Sequence, residues 1–152
     1  MAANTSPIYS LTPNIGDVKI TTTSALVRSD GSAVNAIGTD QFLAFSSGAD
    51  GSFVQRVRFI PVASTAGVNS VATTLRVFLS TVNTGIPTAA NTHLLAEISV
   101  PIISTSNNVS AVTYYEIPLN IAIPTNHYIL VSQHIAQTTN QSWQAMVFGG
   151  NY

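Results

Sequence analysis

The chain has no cysteine, and only 11 of its 152 residues carry a formal charge. Without cysteine there is no disulfide, no thiolate metal ligand, no thiol nucleophile and no thiol redox switch. An ordinary soluble domain is about 25% charged, against 7% here. Five basic and six acidic residues leave a net charge of −1, so nothing marks nucleic acid or an anionic membrane as a partner. No apolar run approaches the roughly 20 residues that span a bilayer as a helix. The first basic residue is Lys19, so a signal peptide with a charged n-region is not expected. Without one, the sequons at Asn4, Asn108 and Asn140 are not expected to carry glycans.

What fills the chain instead is neutral polarity. Ser, Thr, Asn and Gln supply 53 residues, beside an apolar content of 45%. That apolar content excludes a disordered chain, which combines low hydrophobicity with high net charge. The expected product is one domain that buries about 70% of its unfolded surface. Its surface is rich in hydroxyls and amides and has little charge with which to repel neighbours. Such a surface suits a protein packed against other subunits better than a freely diffusing monomer.

The dominant hydrophobic period is two, that of β-strands. In 52–61, strict alternation puts Phe53, Gln55, Val57 and Phe59 on one face and Val54, Arg56, Arg58 and Ile60 on the other. In 74–82, Leu75, Val77 and Leu79 alternate with Arg76, Phe78 and Ser80. Further strands are expected over 18–27, 34–45, 94–100, 113–119, 127–135 and 143–148, where β-branched and aromatic residues dominate. Asp30-Gly31, Asp50-Gly51, Asn83-Thr84-Gly85 and Asn107-Asn108 read as turns. Prolines 61, 101, 118 and 124 fall at strand ends or kinks. The one helical candidate, 88–95, supports at most a single turn. These features predict an all-β, two-sheet antiparallel β-sandwich of the eight-stranded jelly-roll kind, with an immunoglobulin-like sandwich as the alternative. Residues 1–16 lack clean alternation and read either as a frayed terminus or as an extended N-terminal arm laying Ile8, Tyr9 and Leu11 on a neighbouring subunit. Residues 17–152 form the sandwich domain.

Catalytic templates fit poorly. His93 and Glu97 share a strand face about 13 Å apart, and His127 and His134 fall on opposite faces, so neither pair makes a local metal site. Asp17, Asp40 and Asp50 lie in no calcium-loop pattern. Glu97 and Glu116 are the only glutamates and would serve glycoside hydrolysis only if they faced one cleft. No nucleophile elbow or phosphate-cradling glycine motif is present. Neither an enzymatic activity nor a cofactor is expected. Arg56 and Arg58 project from one strand face, with Arg76 on a strand expected nearby. They read either as solvated outer-face charge or as a guanidinium cluster for a partner's carboxylates. Tyr114 and Tyr115 must point opposite ways. A sugar-binding groove lined by Tyr115, Tyr128 and Trp143 is a separate reading.

Several segments resemble small virion structural proteins of tailed bacteriophages. They are the Met1-Ala2-Ala3-Asn4 start, Gly48-Ala49-Asp50-Gly51-Ser52 running into Phe53 to Phe59, Leu75-Arg76-Val77-Phe78, Glu116-Ile117-Pro118-Leu119, and Phe148-Gly149-Gly150-Asn151-Tyr152. The resemblance implies a β-sandwich present in many copies per particle, with no enzymatic role, and carries over no site residue. The expectation it supports is a capsid decoration (cement) protein on the virion surface. Such a protein would bind itself, as a homotrimer, and the major capsid protein or another virion protein. A tail, neck or fibre component and a carbohydrate-binding host-recognition module are the alternatives.

Overall fold

A computed structural model describes residues 12–21, 28–64, 68–105 and 113–152. The strands in chain order are β1 (Thr12–Ile20), β2 (Phe42–Ser46), β3 (Ser52–Ala63), β4 (Val68–Asn69), β5 (Thr73–Ser80), β6 (Thr92–Val100), β7 (Ser104–Thr105), β8 (Tyr115–Ile123), β9 (Tyr128–Gln133) and β10 (Gln141–Asn151). Eight of them build two four-stranded antiparallel sheets, ordered β1-β10-β3-β8 and β2-β9-β5-β6, and β4 pairs with β7 separately. Each step between successive long strands changes sheet, except the step from β5 to β6. The first strand lies beside the last. This wrapping is the jelly roll. The immunoglobulin-like alternative divides its first and last strands between two sheets and does not describe this chain.

Period-two patterning turns one side of each sheet inward. Val54, Val57 and Phe59 of β3, Leu75 and Val77 of β5, Ile129 and Val131 of β9, and Trp143, Ala145 and Val147 of β10 are fully buried in one cluster. Burying a side chain of this size contributes about 1.5–3 kcal/mol, so the inward faces hold the sandwich together. At Gly16, β1 lies against the opposite sheet too closely for a side chain, because a Cβ there would lie 1.9 Å from the Ala44 carbonyl oxygen. The two Asp-Gly turns form as expected, with Gly31 and Gly51 at φ 89° and 92°.

Three expectations change in the structure. The boundary at residue 16 falls inside β1, whose strand pairing with β10 starts at Thr12. Its inward positions are Asn14, Gly16, Val18 and Ile20, and the first two are polar or small, which hid the alternation. Ile8, Tyr9 and Leu11 lie outside the described residues, as do 22–27 and the Asn107-Asn108 turn. Only the end of the expected 34–45 strand is extended, as β2. Before it, 28–41 crosses the outer face of the β2-β9-β5-β6 sheet as a strap. The strap is fixed by Ile37 N–H to Gly85 O (2.8 Å) and Ala33 N–H to Pro87 O (3.1 Å). Ile37 packs there against Phe78 and Leu130, a second apolar cluster outside the main core. Residues 88–91 make one turn, closed by Asn91 N–H to Thr88 O at 3.1 Å, and then enter β6.

The third change is one of phase. The β10–β3 register shifts between Phe148 and Gly149, and the β3–β8 register shifts between Val54 and Arg56. Gln55 is the extra residue against β10, and Asn120, at φ 51°, lies in the extra stretch of β8. A bulge breaks the strict alternation of faces. Val54 therefore turns inward and Phe53 outward, the reverse of their expected sides. Val57, Phe59, Arg56 and Arg58, past the bulge, keep theirs.

Candidate interaction face

The outer side of the β1-β10-β3-β8 sheet is built from cross-strand rows. Ile15, Phe148, Arg56 and Pro118 form one row, and Asp17, Met146, Arg58 and Glu116 form the next. On the other side of the first row lie Pro13, Gly150, Phe53 and Ala122. Because the register places Arg58 directly opposite Glu116, their side chains meet. Arg58 Nε donates to Glu116 Oε1 at 2.8 Å, and its Nη2 lies 2.6 Å from the same oxygen. Arg56 Nε lies 3.3 Å from that oxygen, outside hydrogen-bond geometry, and has no hydrogen-bond acceptor. Arg56 Nη1 donates to Gln55 Oε1.

Aromatic rings order the same guanidinium groups. Arg56 sits 4.5 Å from the centre of the Phe148 ring, while Arg58 lies between Tyr114 (4.5 Å) and Phe148 (5.4 Å). Each such contact is worth about 0.5–1 kcal/mol at exposed sites. All three ionic side chains are about 30% exposed, so solvent screens the pairs and their net stabilisation is about 1 kcal/mol or less. The cluster is better understood as a positioned set of donors than as a brace. Each guanidinium carries five N–H donors, and Glu116 with Gln55 satisfies only part of them.

Beside the cluster, Pro13, Ile15, Phe53, Gln55 and Phe148, with Gly149 and Gly150, line a hollow of about 400 Å³. Ile15 at 58% and Tyr114 at 54% exposure are among the most exposed large apolar groups described. Sequence alternation placed Phe53 inside and did not single out Ile15 or Phe148, and Glu116 entered only as a possible catalytic acid. The bulge at Gln55 and the pairing of β1 with β10 bring them together, and both are long-range features.

Arg76 does not join Arg56 and Arg58. It lies on the outer face of the other sheet, where Nε donates to Glu97 Oε2 at 2.9 Å and Nη1 lies 3.2 Å from His134 Nδ1. Of the two readings left open for these arginines, a single cluster of three does not form: there are two separate ionic groups on opposite faces, each paired with an acid of the same chain. Glu97 and Glu116 are likewise on opposite outer faces of sheets that pack about 10 Å apart, so they share no cleft. The groove of Tyr115, Tyr128 and Trp143 does not form. Trp143 is fully buried, with Tyr115 edge-on at 6.0 Å in the core, and Tyr128 packs beside Phe78 and Leu130 on the far face. Among the described residues, no three His, Asp or Glu side chains gather as a metal site.

No protein-family model matches the sequence, and no curated protein matches it. Among solved structures, the infectious bursal disease virus VP2 subviral particle aligns over 99% of this chain at 14% identity and a TM-score of 0.30. The structure of the Gx strain of that virus aligns over 98%, also at 14% identity and 0.30. The chain spans 37% and 36% of those two chains. A TM-score this low carries no argument about function.

Proposed function

We propose that this chain is a virion structural protein, and specifically a capsid decoration protein of a tailed bacteriophage. In this reading it attaches to the shell as a homo-oligomer, a trimer at a local three-fold position, and bridges capsid subunits. The observation that carries the reading is the outer face of the β1-β10-β3-β8 sheet. In a chain with only 11 charged residues, that face combines exposed apolar side chains with a preformed ionic cluster, a composition suited to contact. The work done is passive: apolar and amide surface buried across a junction raises the free energy of separating the joined subunits. A stable contact buries on the order of 1,200–2,000 Å², and repetition over a symmetric shell multiplies a modest gain per copy.

Quantitative mass analysis of purified particles tests the assignment. A decoration protein is expected in hundreds of copies, in fixed ratio to the major capsid subunit. About a dozen copies would place the chain in a neck or tail ring instead, in line with the symmetric rings that oligomers favour. Absence from the particle, with the isolated chain persisting as a soluble monomer, would overturn the virion reading. Particles lacking the chain are expected to lose integrity at lower temperature than decorated ones, by linkage to the bound state.

A further inference from the structure

We infer that the hollow over Gly150 and the adjoining Arg56–Arg58 cluster form one docking surface for a partner protein segment of defined chemistry. The segment presents a carboxylate and, on the same side of an extended backbone, a large apolar side chain. This deepens the assembly reading above and rests on it only for the existence of a partner.

Three observations lead to that chemistry. The first is charge. On this sheet face Lys19, Arg56 and Arg58 outnumber Asp17 and Glu116 by one, whereas the whole chain carries −1. The surplus donors are positioned before any partner arrives, because Phe148 and Tyr114 hold the guanidinium planes. Guanidinium forks match carboxylates in planar, two-point fashion. The second is space. The hollow, of about 400 Å³, is walled by Pro13, Ile15, Phe53 and Phe148, with Gln55 as its one polar side chain, which suits a mainly apolar side chain. The third is spacing. Along β1 and β10 the Gly150 row and the Phe148 row are successive rows on this outer face, about 7 Å apart at the rise of a strand, while bulged β3 takes three residues, Phe53 to Arg56, over the same step. That is also the separation of residues i and i+2 on an extended partner, whose side chains point the same way.

Two of the four sheet edges are poorly suited to strand addition. Edge strand β8 carries Pro118 and the left-handed Asn120, and edge strand β6 has a register shift beside Leu95. Proline and bulges disfavour strand addition.

The test uses the isotope-labelled full chain and three capped tripeptides at about 10 mM, the range in which a contact this small is seen. Acetyl-Phe-Ser-Glu-amide is expected to move the Nε–H signals of Arg56 and Arg58 and the ring signals of Phe53 and Phe148. Acetyl-Phe-Ser-Gln-amide and acetyl-Ala-Ser-Glu-amide are each expected to bind about 10-fold more weakly. Arg56→Gln is expected to weaken the Glu peptide about 10-fold while abolishing its preference over the Gln peptide. Ile15→Ser, at an exposed wall of the hollow, is expected to weaken the Phe peptides and leave the Ala peptide unchanged. Unmoved Trp143 signals certify that both variants keep the core. Equal response to the Glu and Gln peptides, or silence of these four residues, overturns the inference. So do concentration-dependent shifts at Phe53 and Phe148 without peptide, which would name a second copy of the chain as the occupant. A chain found abundantly in particles but silent to the peptides keeps the virion reading and sinks this one. A peptide response from a chain absent from particles does the reverse.

Discussion

Asp30 accepts hydrogen bonds from the Ser32 hydroxyl at 2.6 Å and the Ser32 amide at 2.9 Å, and these hold its pKa below the ordinary aspartate range, the side-chain bond contributing most. A carboxyl group with a lowered folded-state pKa adds stability above its unfolded value and loses it as pH falls through the folded one. Ser32→Ala is therefore expected to raise the Asp30 pKa in an NMR titration and to narrow the stability gap between neutral and acidic pH. Steric constraint acts as locally at Gly16. The Ala44 carbonyl that blocks a Cβ there is backbone, so neither partner can rotate away. Gly16→Ala is expected to cost about 1–3 kcal/mol in denaturant unfolding. Ala at Gly38, where φ is +97° though nothing lies within 4 Å, should cost about 1–3 kcal/mol through backbone strain alone.

Among elements, the strap over 28–41 most changes how the exterior behaves. Asp40 is fully buried and accepts from the Asn35 amide at 2.8 Å, while Gln41 Nε2 donates to Gly31 O at 2.9 Å. These bonds close the strap on itself, so Ile37 stays over Phe78 and Leu130. Asp40→Ala leaves a part-buried N–H without its acceptor, a loss of about 1–3 kcal/mol. It should speed amide exchange at Ile37 and let a hydrophobic dye bind near Phe78. The sequence carried part of this element and missed its form. Val34 and Ile37 looked like strand residues because apolar content alone does not separate a strand from a strap. Only the remote partners Gly85 and Pro87 make the difference. β5 was legible residue by residue, since Leu75, Val77 and Leu79 face in and Arg76 and Phe78 face out without interruption. β3 was legible only past its bulge. The interaction face was half visible: Arg56 and Arg58 stand out in any scan of a charge-poor chain. Ile15 and Phe148 acquire meaning only when β1 and β10 are aligned beside β3, and Glu116, read from sequence as a possible catalytic acid, becomes the partner of Arg58 only when β8 is added.

For the whole molecule, topology governs how the fold is reached. The sheet that bears the interaction face is closed by pairing Thr12 through Ile20 with the last strand, so its completion waits on the most distant segments of the described chain. Sandwiches dominated by such non-local pairing fold in milliseconds to seconds. Stopped-flow refolding followed by Trp143, which is fully buried between the sheets, is expected in that range. Trp143 emission should also be blue-shifted and indifferent to added sugars, since no ring edge reaches solvent. The same pairing sets Thr12 opposite Asn151, so both strands leave the body at one pole. A short covalent bridge across that pole, with new termini opened at the exposed Gly85 bend, should give a permuted molecule with every ladder intact. Cargo fused ahead of residue 12 or behind residue 151 would radiate from that pole, one residue from the Pro13 and Gly150 walls of the hollow, and should crowd that surface first.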